Sequence, residues 1–310
     1  MKTKKFTSLK GIFLLAALAG TVLSCAGLAG AAGVGAQIAG SMGVIDQNTA
    51  NAIIQSSDAI GKAAEEITPE QEYYIGRAVG ANILSSYKIY DGKPALTAYL
   101  NRICGAIVIN SPKPDIYNGY HVNILDSSEI NAFATSGGHI FITLGLISSA
   151  DSEDALAGVI AHEIAHIQLQ HSIKAITNSR INQALMVTGI SAAGVAADMD
   201  VKELTDVFNQ SVGEIVNTLL NKGYSRDQEY DADSTALSLL ASAGYSPSGL
   251  IDMLHRLEKT QGGHSGGFNK THPSPAERLS SAEKSAVNYQ VPDTRSFRQA
   301  RYRAEISLTN

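Results

Sequence analysis

Cysteine is scarce in this chain: Cys25 and Cys104 are its only two, enough for one disulfide at most. A disulfide framework is therefore excluded as the basis of the fold. Basic clusters are missing beyond the first ten residues, and the formal net charge is −5, which argues against nucleic acid as a partner. No internal repeat of solenoid period is present. Beyond the N-terminal region, the uncharged stretch Ala184 to Ala197 is too short and too rich in Gly and Ala for a membrane span, and reads as a buried or mobile connecting element. What remains after the N-terminal region is about 250 residues, a usual size for one core.

The most informative pattern present is His162-Glu163-Ile164-Ala165-His166. On a helix, positions i and i+4 lie about 40° apart around the axis, so both imidazoles project from one face within reach of one metal ion. Glu163 stands one residue round from His162, where its carboxylate can touch a metal-bound water without ligating the metal. Two histidines on Zn²⁺ with a glutamate as general base is the zincin arrangement. The helical context is there. Leu156, Val159, Ile160, Ile164 and Ile167 form an apolar stripe, and Asp151 and Asp154 suit a first helical turn. A buried helix with two hydrogen-bonded core histidines would read the same way.

The third ligand is not local. A metzincin would need glycine at 169 and histidine at 172, where this chain has Leu169 and Ser172. On a continuing helix His171 lies about 140° round from His166 and points away from the metal. Downstream, Tyr224-Ser225-Arg226-Asp227-Gln228-Glu229-Tyr230-Asp231-Ala232-Asp233 places Glu229 and Asp233 on one helical face and Asp231 on another. Glu229 then suits a metal ligand, and Asp233 suits an acceptor for the free ring N–H of a ligand histidine. An acidic, solvated helix start fits the same spacing. The spacing leaves both open.

Four blocks in order carry a family resemblance. Asp126 to Gly138 runs on into Ile140-Phe141-Ile142-Thr143 with Gly145-Leu146. The pentad follows, then Ser225 to Asp233, then Thr271-His272-Pro273. Together they resemble the HtpX and CAAX-prenyl-endopeptidase family of gluzincins over residues 126 to 278, with a looser likeness at Thr68 to Glu72, Gly76 and Leu96 to Ile103. Ser136 stands where that family commonly has proline, and Ala155 where it commonly has glutamate; neither is a ligand or the base. The resemblance implies a mainly α (α+β) fold, a helical zincin domain with a small mixed β-sheet beside the active-site helix. It implies one Zn²⁺ per chain on His162, His166 and Glu229, Glu163 as base, and Asp233 in support.

The expected elements are helices near 48–65, 68–86, 94–110, 152–177, 200–222, 226–243, 247–259 and 274–287, with strands near 119–125, 129–135 and 138–143. Cys104 falls on the third of these helices as a buried, inert thiol. A substrate chain is expected to add as a strand beside Asn131, Ala132, Phe133 and Ala134. His272 follows a glycine-rich loop, and three roles are open to it: a ligand that blocks zinc, an oxyanion donor, or a cap on the next helix. Tyr224 is a second oxyanion candidate, and Arg278 a partner for Asp233. The expected function is zinc-dependent endopeptidase action on unfolded, misassembled or membrane-associated polypeptides. A zinc-binding chaperone and a cell-wall amide hydrolase are the alternatives.

The N-terminus bears on location. Lys2, Lys4, Lys5 and Lys10 precede an uncharged apolar run from Gly11 to Leu23, the layout of a secretory signal. Val22-Leu23-Ser24-Cys25 resembles the lipobox of bacterial lipoproteins, which makes Cys25 the lipidation site and leaves Cys104 without a disulfide partner. An uncleaved membrane anchor is the competing reading, since no charge appears from Gly11 to Ile45. The expected organisation is a signal over 1–25, a Gly/Ala-rich tether over 26–47, a zinc metallopeptidase domain over 48–290 and a tail over 291–310. The expected location is the bacterial envelope, lipid-anchored and facing the periplasm, with the outer membrane favoured.

Overall fold

A computed structural model describes residues 68–174, 209–261 except 211, 267–272 and 275–306, with short stretches between 34 and 54. The expected N-terminal signal with Cys25, the stretch Ala184 to Ala197, residues 262–266 and Pro273 lie outside the described residues. Residues 66–179 and 199–310 form one compact unit, and residues 1–65 with 180–198 form another. In the second unit, residues 36–41 and 47–51 are helical, and the two stretches meet where Gly40 faces Ala50. Among the described residues no helix is long and apolar enough to cross a membrane.

The larger unit is mostly helical with a three-stranded mixed sheet. It opens with α1 (Pro69–Ser86), started by a reciprocal cap between Thr68 and Gln71 and by proline in its first turn. Next comes α2 (Pro94–Ile109), which buries Leu96, Tyr99, Leu100, Ile103, Cys104 and Ile107. Burial pushes the Cys104 thiol up to about 12, which suits an inert core residue. Strands β1 (His121–Leu125), β2 (Ala132–Thr135) and β3 (His139–Thr143) follow. Their order is β1-β3-β2, with β1 parallel and β2 antiparallel to β3, so β2 is an edge. Both faces of the sheet are covered. Ala132, Ala134, Ile140 and Ile142 join the main core, while Phe133 and Phe141 join a second cluster with Val79, Ile83, Leu219 and Tyr224. That is why β2 reads as a continuous buried run instead of an alternation.

After the short α3 (Leu144–Ser149) comes α4 (Glu153–Gln168), capped by Ser152 and buried along its whole length. A helix buried all round belongs at the centre of a domain. Around it lie α5 (Arg226–Ser242) and α6 (Ser248–Gln261), with the short α7 (Phe268–Thr271), α8 (Pro275–Ala286) and α9 (Arg295–Ile306) completing the unit. Gly158 costs α4 about 1 kcal/mol in helix propensity. It allows close approach in return: a Cβ there would sit 2.7 Å from the Leu250 backbone, and one at Gly249 would sit 2.2 Å from the Asp154 carbonyl.

Two expectations are corrected. The active-site helix ends at Gln168, well short of 177, because Gln170 adopts a left-handed φ of 56°; residues 171–174 then turn helical again. Residues 295–306 are no loose tail. As α9 they dock on the first turn of α4, where Arg298 Nε reaches Asp154 at 2.9 Å, Arg301 Nε reaches Glu153 at 2.7 Å, and Tyr302 donates to the Ala150 carbonyl at 2.8 Å. Glu153 also accepts from Tyr99 and Tyr245, so this buried carboxylate is fully partnered.

Candidate metal centre

Helix α4 places His162, Glu163 and His166 in its last three turns, and α5 brings Glu229 and Asp233 against them. Ser225 and Gln228 cap α5 reciprocally, which fixes its start one turn before Glu229. His162 Nε2 lies 3.0 Å from His166 Nε2, and the Glu229 carboxylate is 3.5 Å from each imidazole. His272, just past α7, completes the group with Nδ1 at 2.9 Å from Glu229 Oε1 and 3.4 Å from His162 Nε2. The four donor atoms of His162, His166, Glu229 and His272 all lie within 4.8 Å of one another, and all four residues are buried. Imidazole nitrogens with one carboxylate oxygen at this spacing are a donor set that zinc accepts.

Surrounding groups orient that set. Asp233 Oδ1 stands 3.0 Å from His162 Nδ1, and Arg278 pairs with both oxygens of Asp233, its Nη2 lying 3.3 Å from the same His162 nitrogen. Arg278 Nη1 also pairs with Glu229 Oε2 at 3.0 Å. Asp231 is exposed on the opposite side of α5. Tyr224 stacks on His166 with ring centroids 4.2 Å apart, and its hydroxyl is buried without a hydrogen-bond partner. Phe268 stacks on His272 in the same way at 4.1 Å.

Charge balance follows from these contacts. Burial raises the Glu163 carboxyl above its ordinary value, against the pull of His272 and His162. Burial works the same way on Glu229, but the His272 and Arg278 charges outweigh it and hold Glu229 well below the carboxylate range. Asp233 is held down too: burial opposes, and Arg278 and His162 prevail. For His162, burial and Arg278 push downward, yet the bonds to Asp233 and Glu229 keep it up at about 9. His166 is driven well below its usual value by burial and by His162.

Glu163 Oε1 is buried, has no hydrogen-bond partner and faces His272 Nε2 at 3.9 Å. Asn131, Ala132, Phe133 and Ala134 lie at the sheet edge and are all buried, Phe133 in the cluster that holds Leu219 and Tyr224. One residue was missed from the sequence. His171 does not point away: it is buried, with Nδ1 2.8 Å from His166 Nδ1. The turn at Gln170 brings it there, and a left-handed glutamine leaves no mark in a sequence pattern.

The comparisons agree with this geometry. A model of Peptidase family M48 matches residues 94–286, more than half of the chain. Mitochondrial metalloendopeptidase OMA1 of Schizosaccharomyces pombe is 28% identical over 201 residues, 63% of this chain and 54% of that protein. Metalloprotease LoiP of Escherichia coli is 29% identical over 187 residues, 60% of this chain and 69% of its own. The Beta-barrel assembly-enhancing protease of Escherichia coli is 25% identical over 221 residues, 69% of this chain and 42% of its own. The chain thus spans roughly half the length of several relatives it matches. It belongs to Peptidase family M48, a family of zinc metallopeptidases.

Proposed function

We propose that this chain is a zinc-dependent endopeptidase that hydrolyses peptide bonds in unfolded, misassembled or membrane-associated proteins of the bacterial envelope. The observation that carries the reading is the unpartnered Glu163 oxygen, buried beside a four-donor metal cluster. A buried carboxylate oxygen left without a hydrogen bond is expensive unless chemistry uses it. The motif order further favours a place near the HtpX and CAAX-prenyl branch of the family.

His162, His166 and Glu229 are the ligands in this reading. Bound zinc supplies Lewis acidity, activating water and polarising the scissile carbonyl. Glu163 takes the proton at Oε1 and passes it to the leaving amine; burial, which raises its carboxyl value, favours its taking up the proton. Asp233 accepts the His162 Nδ1–H and fixes that tautomer. His272 Nδ1 stands among the donors, which favours a resting-state blocking ligand over an oxyanion donor. Substrate pairs as a strand with β2 at Asn131 to Ala134.

The envelope assignment rests on the lipobox resemblance at Cys25 and on a relative named for β-barrel assembly. Lipid on Cys25 would tether the domain at the periplasmic face of a membrane, with the outer membrane favoured. Cys25→Ser is expected to abolish incorporation of a labelled fatty acid, and unchanged labelling would remove the lipoprotein reading.

The central test is cleavage of reduced casein by solubilised wild type and by Glu163→Gln at equal zinc content. Cleavage by wild type alone supports the protease. Suppressed aggregation without cleavage by either protein favours a chaperone, and release of peptidoglycan fragments favours an amide hydrolase.

A further inference from the structure

The two metal-facing histidines of α4 are supported by unlike partners. His162 presents Nε2 to the cluster and turns Nδ1 to the Asp233 carboxylate at 3.0 Å. His166 also presents Nε2 to the cluster, but its Nδ1 meets another imidazole, Nδ1 of His171, at 2.8 Å. A ligand imidazole must keep its metal-side nitrogen free of a proton, so the proton of neutral His166 sits on Nδ1. The bond therefore has one sense: His166 donates and His171 accepts. The remaining proton of His171 then lies on Nε2, which is buried and has no hydrogen-bond partner. A fold that leaves a buried N–H unsatisfied needs a reason, and the acceptor at Nδ1 supplies one.

The chain also builds the position of His171 deliberately. An unbroken helix would carry this ring about 140° away from His166. Helix α4 stops at Gln168 instead, and Gln170 takes a φ of 56°, a region costly for any residue other than glycine, asparagine or aspartate. Both sides of the turn are tied down. Lys113 Nζ donates to the Gln168 carbonyl at 2.7 Å, and the Gln170 amide donates to Glu72 on α1. Tyr224 lies against both rings, at 4.2 Å from His166 and 5.7 Å from His171. The choice of a neutral acceptor has an electrostatic logic as well. Glu163, Glu229 and Asp233 are already buried here around a single guanidinium, Arg278, and another carboxylate behind His166 would add an uncompensated buried charge.

We propose that His171 is a positioning residue of the metal centre: its Nδ1 accepts the Nδ1–H of His166 and so aims the Nε2 lone pair of His166 at zinc. The proposal rests on His166 being a ligand. It assigns His171 no contact with substrate or metal.

The readouts are the zinc dissociation constant, from competition with a chromophoric chelator, and the unfolding midpoint of metal-free protein. His171→Leu fills the space without an acceptor and is expected to weaken zinc binding about 10- to 100-fold, the range for loss of such a supporting bond. His171→Asn places an amide oxygen near the old Nδ1 and is expected to stay within a few-fold of wild type. A purely structural residue would lower the metal-free midpoint in both variants and leave zinc binding alone, which would overturn the proposal. Gln170 offers an approach that keeps His171 intact. Gln170→Gly tolerates the left-handed turn and should retain affinity, while Gln170→Val opposes it and should lose affinity as His171→Leu does. His166→Ala separates the two readings. Wild-type affinity in that variant removes the ligand assignment and this proposal with it. Wild-type affinity in His171→Leu, alongside zinc loss in His166→Ala, overturns this proposal alone.

Discussion

Arg278 grips Asp233 in a two-pronged pair, Nε to Oδ2 at 2.7 Å and Nη2 to Oδ1 at 2.5 Å. Both side chains are buried, and the same guanidinium reaches Glu229. One residue of α8 thus pairs with two carboxylates of α5, and planar fork geometry makes arginine the suitable cation.

Arg278→Leu is expected to destabilise zinc-free protein by about 3–5 kcal/mol, because two buried carboxylates lose their cation. Denaturant unfolding checks this. The sign with pH is also fixed. Burial alone would raise Asp233 and Glu229, but Arg278 and the neighbouring histidines hold both below their ordinary values. Their contribution is therefore complete above the unfolded carboxylate range, about pH 4, and is lost as pH falls through the lower folded values. The deficit of the variant should shrink on acidification. A deficit that grew instead would contradict this assignment of charge.

Glu229→Ala is expected to lose most of the bound zinc, and Asp233→Ala to weaken it about 10- to 100-fold. Metal analysis after dialysis against a weak chelator separates the two. Stoichiometric zinc and full activity in Glu229→Ala would show that the third ligand is another residue.

His272→Ala distinguishes the roles of that imidazole by direction. A blocking ligand predicts higher basal cleavage. An oxyanion donor predicts a loss of about 10²-fold or more in kcat. A helix cap predicts unchanged turnover with a small loss of stability. The place of His272 Nδ1 among the donors leads us to expect the increase.

Arg298→Leu tests the docking of α9. Asp154 would keep its bond from the Ser246 amide but lose its buried cation, at a cost of about 3–5 kcal/mol. Zinc affinity should stay at the wild-type value, since Asp154 lies about 12 Å along α4 from His162. Changing Asp154 to Asn in the same protein should recover part of the loss.

Parts of the centre were legible because they are local. Helical spacing brings His162, Glu163 and His166 onto one stretch of helix, whereas at Glu229 and Asp233 the spacing left a solvated helix start open and the family resemblance chose between the two. The β-sheet could be read from short apolar runs between turn residues. His171 could not be found this way, because its place depends on one residue, Gln170, adopting a conformation that its chemistry does not favour. Nor could the docking of α9. Its sequence is strongly polar, and the groups it buries are Arg298 and Tyr302 instead of an aliphatic stripe. Hydrophobic periodicity detects oil against oil; it is blind to an arginine held by a buried carboxylate.

The separation in sequence between the members of the metal cluster has a consequence in time. His162 and His272 meet across 110 residues, and Arg278 reaches His162 across 116. At a synthesis rate of about 5–20 residues per second, the pentad exists for roughly 5–20 s before His272 is made. The chain carries the histidines and the base from the start of that interval, Glu229 and Asp233 are added within it, and Arg278 follows only after His272. An ion met early would find two imidazoles and no carboxylate to close the set. Hydrolytic competence is thereby deferred by the order in which the polypeptide is spelled out, and every copy passes through a period of chemical innocence before it can cut.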